Sequence, residues 1–121
     1  MKFFKCVKCG TILPIAEDVD LSARCADFVE VMPNTTEAAV EKHIPVVKVE
    51  GNIVKVSVGE VLHPMTEAHY IGWVMLQTKF GNQRRVLKPG DEPVVEFAIL
   101  PGDEVVRVIS YCNLHGLWST K

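Results

Sequence analysis

Val46-Val47-Lys48-Val49-Glu50-Gly51-Asn52-Ile53-Val54-Lys55-Val56-Ser57-Val58 decides the fold class. Two β-branched runs flank Gly51-Asn52, a dipeptide suited to a tight hairpin turn. After the turn, Val54, Val56 and Val58 alternate with Lys55 and Ser57. A period of two is the mark of a strand with one buried face. Downstream the pattern recurs. Residues 70–79 form a longer apolar run, which predicts a central strand. Gly81-Asn82 turns it into residues 83–87. Lys88-Pro89-Gly90-Asp91 and Pro101-Gly102-Asp103 then bound strands over 94–100 and 105–111. Short strands, regular turn signals and no long helix predict an antiparallel sandwich or barrel.

Upstream, Asn34-Thr35-Thr36-Glu37 pairs a cap residue with a Glu three positions on, a helix-start signal. Ala38 to Lys42 would continue it for one or two turns. Pro45 ends helix there and biases Ile44 toward extended backbone. Residues 1–33 carry three of the four Cys and none of the His. They hold an apolar patch, Ile12-Leu13-Pro14-Ile15, and an acidic turn from Glu17 to Asp20. Such a segment is too short to build a core alone and usually needs a metal, disulfides or a partner. Met32-Pro33-Asn34 reads as a linker, so the expected domains are 1–33 and 34–121.

Composition narrows the class. With 48% apolar residues, a chain of 121 can bury a real core. Thirteen Lys and Arg against 15 Asp and Glu leave a formal charge of -2, with no basic stripe for nucleic acid. No apolar stretch approaches a membrane span. The start, MKFFKCVKCG, has no apolar core or cleavage site of a secretory signal, so a cytoplasmic location is expected. In that setting four Cys favour metal or redox chemistry over disulfides.

The four His are His43, His63, His69 and His115. All fall at element ends or in loops, where sites tend to be built. Taken singly, each reads as an ordinary hydrogen-bonding His. Cys112-Asn113-Leu114-His115 says more, because a Cys and a His three apart on a turn can face one ion.

Glu41-Lys42-His43-Ile44-Pro45-Val46, then His63-Pro64-Met65 with His69-Tyr70-Ile71, then Tyr111-Cys112-Asn113-Leu114-His115-Gly116 occur in that order. Together they resemble the superoxide reductase family, the desulfoferrodoxins and neelaredoxins, from about residue 35 to the end. Every His in the chain falls on a ligand position of that family. The resemblance implies an immunoglobulin-like, seven-stranded antiparallel β-sandwich, in line with the strand pattern. It implies one mononuclear non-haem iron, Fe2+/Fe3+, held by His43, His63, His69 and His115 with Cys112 as axial thiolate. The implied reaction is one-electron reduction of superoxide to hydrogen peroxide, with no dioxygen formed. Lys42 would correspond to the cation beside the open position, and Glu41 to the carboxylate that occupies it after product leaves. Without the resemblance, both would read as a solvated helical turn. Tyr70, Trp73, Tyr111 and Trp118 flank the ligand segments and are candidates to wall the iron, with ordinary core packing the favoured reading.

Cys6-Val7-Lys8-Cys9-Gly10 is a metal knuckle that lacks a second pair. It resembles the desulforedoxin-like domain at the start of desulfoferrodoxins, where two adjacent Cys complete an iron-tetrathiolate site. Here that place reads Ser22-Ala23-Arg24-Cys25-Ala26-Asp27, with Cys25 alone. Zinc on three thiolates with water or Asp27, or no metal, are both open. The expectation is no working four-thiolate centre, the segment persisting as a structural or dimer-forming element. The family further implies a rubredoxin-like electron donor and a homodimer. Against the enzyme stands an iron-binding electron carrier with the same ligands. A blue-copper site would use two His, and a structural zinc site two or four Cys.

Overall fold

The computed structural model describes residues 1–15, 18–36 and 38–120. Glu37 of the expected helix-start signal, and Glu17 of the acidic turn, lie outside the described residues. The chain divides into two compact units, Met1–Met32 and Pro33–Lys121.

The first unit is a three-stranded antiparallel sheet. Its strands are β1 (Lys2–Cys6), β2 (Ile12–Ile15) and β3 (Phe28–Val31), in the order β2-β1-β3. Phe3 and Phe4 are its buried anchors. A single turn of helix, α1 (Leu21–Arg24), precedes β3, and the Asp20 carboxylate caps it by accepting from Ser22 N–H at 3.1 Å.

The second unit contains one helical turn, α2 (Val40–His43), and seven strands. These are β4 (Pro45–Glu50), β5 (Ile53–Val58), β6 (Ile71–Thr78), β7 (Asn82–Val86), β8 (Val94–Ala98), β9 (Val105–Cys112) and β10 (Gly116–Ser119). They form two antiparallel sheets, β10-β9-β6-β7 and β4-β5-β8. The hairpin at Gly51-Asn52 pairs β4 with β5 from Pro45↔Val58 to Glu50↔Ile53, and Gly51 supplies the positive φ of 60°. Val54, Val56 and Val58 turn inward as their alternation requires, and Val95 and Phe97 of β8 join them. From the facing sheet come Ile71, Val74 and Leu76 of β6 with Val108 and Cys112 of β9. Two sheets sharing one apolar core make an immunoglobulin-like β-sandwich. Each fully buried Val, Ile, Leu or Phe adds about 1.5–3 kcal/mol before chain entropy is counted. β6 is buried along nearly its whole length, as expected of the central strand, while β7 is an exposed edge carrying Arg84 and Arg85.

Two expectations are corrected. Asn34 does not cap the short helix, which begins at Val40 after Ala39 and has no side-chain cap. Asn34 sits at φ 62° and locks onto β10 instead. Its amide donates to Ser119 O at 3.0 Å and accepts from Ser119 N–H at 2.9 Å. Likewise the series does not close at 105–111. Cys112 ends β9, a turn holds His115, and β10 pairs back with Gly116↔Cys112. Gly116, at φ 76°, lets that turn close. Among the described residues no helix is long and apolar enough to cross a membrane.

Candidate metal centre

Three chain segments bring the histidines together, and a strand adds the cysteine. α2 ends in His43, which is buried, and Ser110 Oγ of β9 donates to the His43 carbonyl at 3.1 Å. The β5–β6 loop carries His63 and His69. The β9–β10 turn carries His115, and β9 delivers Cys112 into the core. One atom each from His43, His69, Cys112 and His115 lies within 4.8 Å of the others. His63 falls outside that group of four, yet its Nε2 lies 3.1 Å from His43 Nε2. His43 Nε2 is in turn 3.1 Å from His115 Nδ1, and Cys112 Sγ is 3.8 Å from that same Nδ1.

The outer ring nitrogens settle the tautomers. His43 Nδ1–H donates to Ala39 O at 2.7 Å, and His63 Nδ1–H donates to Pro64 O at 2.7 Å. Each Nε2 is therefore a bare lone pair aimed inward. Two such lone pairs 3.1 Å apart repel unless a positive charge lies between them. A proton is disfavoured there. Burial holds His43 below its ordinary value and, with the Pro64 carbonyl opposing, holds His63 down at about 4. Burial and then the His115 and His43 charges push His69 the same way, and the buried His69 Nε2 has no hydrogen-bond partner. A metal ion answers every one of these features. Two nitrogens bound at about 2.1 Å and at a right angle would stand about 3 Å apart. Burial raises the Cys112 thiol, so a cation is also what would hold it as thiolate. The donor set fits a transition-metal ion, and the inward atoms are Nε2 of His43 and His63 and Nδ1 of His115.

Other side chains shape the centre. Trp118, a candidate on both readings, is buried as core packing requires and also walls the site. Its ring lies 4.8 Å from the His43 ring at a 34° tilt, and its Nε1–H donates to His115 O at 3.1 Å. Trp73 stacks on Tyr111 at 5.7 Å in the ordinary core manner. Asn113 is the residue that sequence reasoning passed over. Its Oδ1 accepts from Tyr70 N–H at 2.9 Å, its Nδ2 donates to Ala68 O at 3.0 Å, and its own N–H donates to Tyr70 O at 3.1 Å. It ties the His69 loop to the Cys112–His115 turn.

Glu41 and Lys42 are exposed on α2, immediately before His43. After burial and the neighbouring histidines, the Lys42 charge also disfavours protonation of His69, so its field reaches the cluster. Their backbone is seated on Gly59. A Cβ there would come within 2.5 Å of Glu41 O and 2.9 Å of the Lys42 carbonyl carbon. Val61 N–H also donates to Glu41 O at 3.0 Å.

The first unit assembles less. Cys6, Cys9 and Cys25 are free thiols, and among the described residues they do not gather into a three-ligand group. Asp27, the conceivable fourth ligand, pairs with Lys8 at 3.5 Å. Gly10 N–H donates to Cys6 O at 2.8 Å, closing the knuckle, with Gly10 at φ 77°. Hydrogen bonds from Thr11, and then from Cys6, hold the exposed Cys9 thiol below its ordinary value.

A family model for desulfoferrodoxin matches residues 35–121. A desulfoferrodoxin homolog of Archaeoglobus fulgidus is 40% identical over 99% of this chain and 96% of its own length. A desulfoferrodoxin of Nitratidesulfovibrio vulgaris is 40% identical over 99% and 95%. Among solved structures, the superoxide reductase from Treponema pallidum matches with TM-score 0.81 and 41% identity, covering 99% of this chain and 98% of that one. With the family's model spanning the sandwich and relatives matching nearly end to end, the chain belongs to the desulfoferrodoxin family.

Proposed function

We propose that this chain is a superoxide reductase, with residues 34–121 as its catalytic domain and one iron ion held by His43, His63, His69, His115 and Cys112. The observation that carries the proposal is the inward convergence of bare imidazole lone pairs and a buried thiol, on a relative of solved superoxide reductases. When bound, iron supplies the single electron that converts superoxide, with two protons, to hydrogen peroxide. The residues do the rest. Ala39 O and Pro64 O keep two imidazoles neutral and oriented. The Cys112 thiolate donates electron density, which favours giving up the electron. Trp118 closes one flank against water. Lys42 draws the superoxide anion toward the centre and offsets the charge of the departing peroxide. Glu41 supplies, in this reading, the carboxylate that covers the site once product has left. The proposed donor is a small rubredoxin-like carrier, and the proposed assembly is a homodimer.

Mixing the reduced, iron-loaded protein with superoxide tests this. One hydrogen peroxide per superoxide, without dioxygen, is expected. Evolution of dioxygen would make it a dismutase, and an unreacted centre would leave the iron-carrier reading.

A further inference from the structure

The four-thiolate centre of the family's N-terminal domain does not fit this first unit. Cys25 stands alone where two Cys are needed, and it does not join Cys6 and Cys9 in a ligand group. Asp27 is engaged by Lys8. The structure instead keeps two of the thiols together. The knuckle holds Cys6 and Cys9 within one turn, closed by Gly10 N–H to Cys6 O at 2.8 Å. Cys9 Sγ lies 3.1 Å from Thr11 Oγ1, and after Thr11 the neighbouring Cys6 side chain also favours the Cys9 thiolate. Cys9 is exposed and Cys6 is half-buried. An exposed sulfur with a hydroxyl to support its thiolate, and a second, less exposed thiol in the same turn, is the layout of an attacking and a resolving cysteine.

We propose that Cys6 and Cys9 are a redox dithiol that consumes hydrogen peroxide. The Cys9 thiolate attacks one peroxide oxygen and the O–O bond breaks. Cys9 becomes a sulfenic acid, and the hydroxide released takes up the proton shed by Cys9 and leaves as water. The Cys6 sulfur then attacks Cys9, the S–S bond forms and the S–O bond breaks. The departing oxygen takes the Cys6 proton and leaves as a second water. Two thiols and one peroxide give one disulfide and two waters. A small dithiol reductant returns the pair to its starting state by exchange. Cytosolic disulfides of this kind are transient and redox-active as a rule. Taking the sandwich's own product as the peroxide source rests on the superoxide-reducing reading. The experiment supplies hydrogen peroxide as a reagent, so its failure leaves that reading standing.

The full chain, with its iron oxidised, is treated with a few equivalents of hydrogen peroxide and then with dithiothreitol. The expected result is loss of two titratable thiols and about 2 Da, with a peptide map linking Cys6 to Cys9, all reversed by the reductant. Cys25→Ser should keep the link, and Cys9→Ser should abolish it while the protein stays folded by circular dichroism. The proposal is overturned if all thiols persist, if Cys9 runs on to sulfinic acid unlinked, if Cys25 supplies the bridge, or if purified protein carries a metal on Cys6 and Cys9.

Discussion

Asn113 contacts no metal, yet its side-chain amide and its backbone N–H hold the strand entry that follows His69. Asn113→Ala leaves the Tyr70 N–H without its acceptor, and a partly buried orphan donor costs about 1–3 kcal/mol. The larger effect should fall on the ion, because outer-shell support is worth about 10- to 100-fold in metal affinity. Competition with a chelator measures it, and an unchanged affinity would remove Asn113 from the site. Lys42→Ala has a different signature. The iron content should hold while the bimolecular rate with superoxide falls roughly tenfold and loses its ionic-strength dependence. The same rate constant in both proteins would end the steering role. At this scale the ligands were legible because His and Cys are scarce and stand at element ends. Asn113 was not, and Trp118 was legible only as a candidate beside the favoured core reading. An Asn between Cys112 and Leu114 reads as a turn former, and a Trp in an apolar run reads as core. Only the fold shows what their polar atoms reach.

The elements show where local reading succeeds. Val54, Val56 and Val58 alternate strictly, so the inward face of β5 followed from the residues alone. β10 did not, since Gly116-Leu117-Trp118-Ser119 is four residues long and never alternates. Asn34 misled because capping spacing is a local signal, whereas its amide is used by Ser119, 85 residues away. The strands of the first unit went unread for the same reason of length. Two predictions belong here. Gly59→Ala should push on the Glu41–Lys42 backbone, cost about 1–3 kcal/mol in denaturant unfolding and slow the reaction with superoxide. A variant with wild-type stability and rate would show that α2 yields freely. On the hairpin, Glu50 is gripped by Lys48 at 3.1 Å and Lys55 at 3.5 Å. Lys48 first, then Lys55, holds its carboxyl below the ordinary value. The stabilisation is therefore full above the ordinary glutamate range and is lost as pH falls through the folded value. Glu50→Gln should flatten that part of the stability–pH curve, and an unaltered slope would mean the pairs contribute nothing.

At the scale of the molecule, the sandwich presents a candidate ion site built from one helical turn, its loops and one strand end, and the thiols of the first unit form no three-ligand group among the described residues. The sequence resemblance implies five ligands; the packing of the second unit gathers His43, His69, Cys112 and His115 into one group, with His63 Nε2 3.1 Å from His43 Nε2. Cys112 Sγ and the inward ring nitrogens show why those five cohere: without a cation they would repel or lie unpartnered. The fate of residues 1–33 was legible only as a missing cysteine, because whether three thiols still converge is a matter of backbone course. The measurement that bears most directly on the whole account is iron content with the visible spectrum of the oxidised full chain, compared with Cys112→Ser. The account predicts close to one iron per chain and a thiolate-to-iron band that Cys112→Ser abolishes. Close to two irons, or a band that survives the substitution, would contradict it.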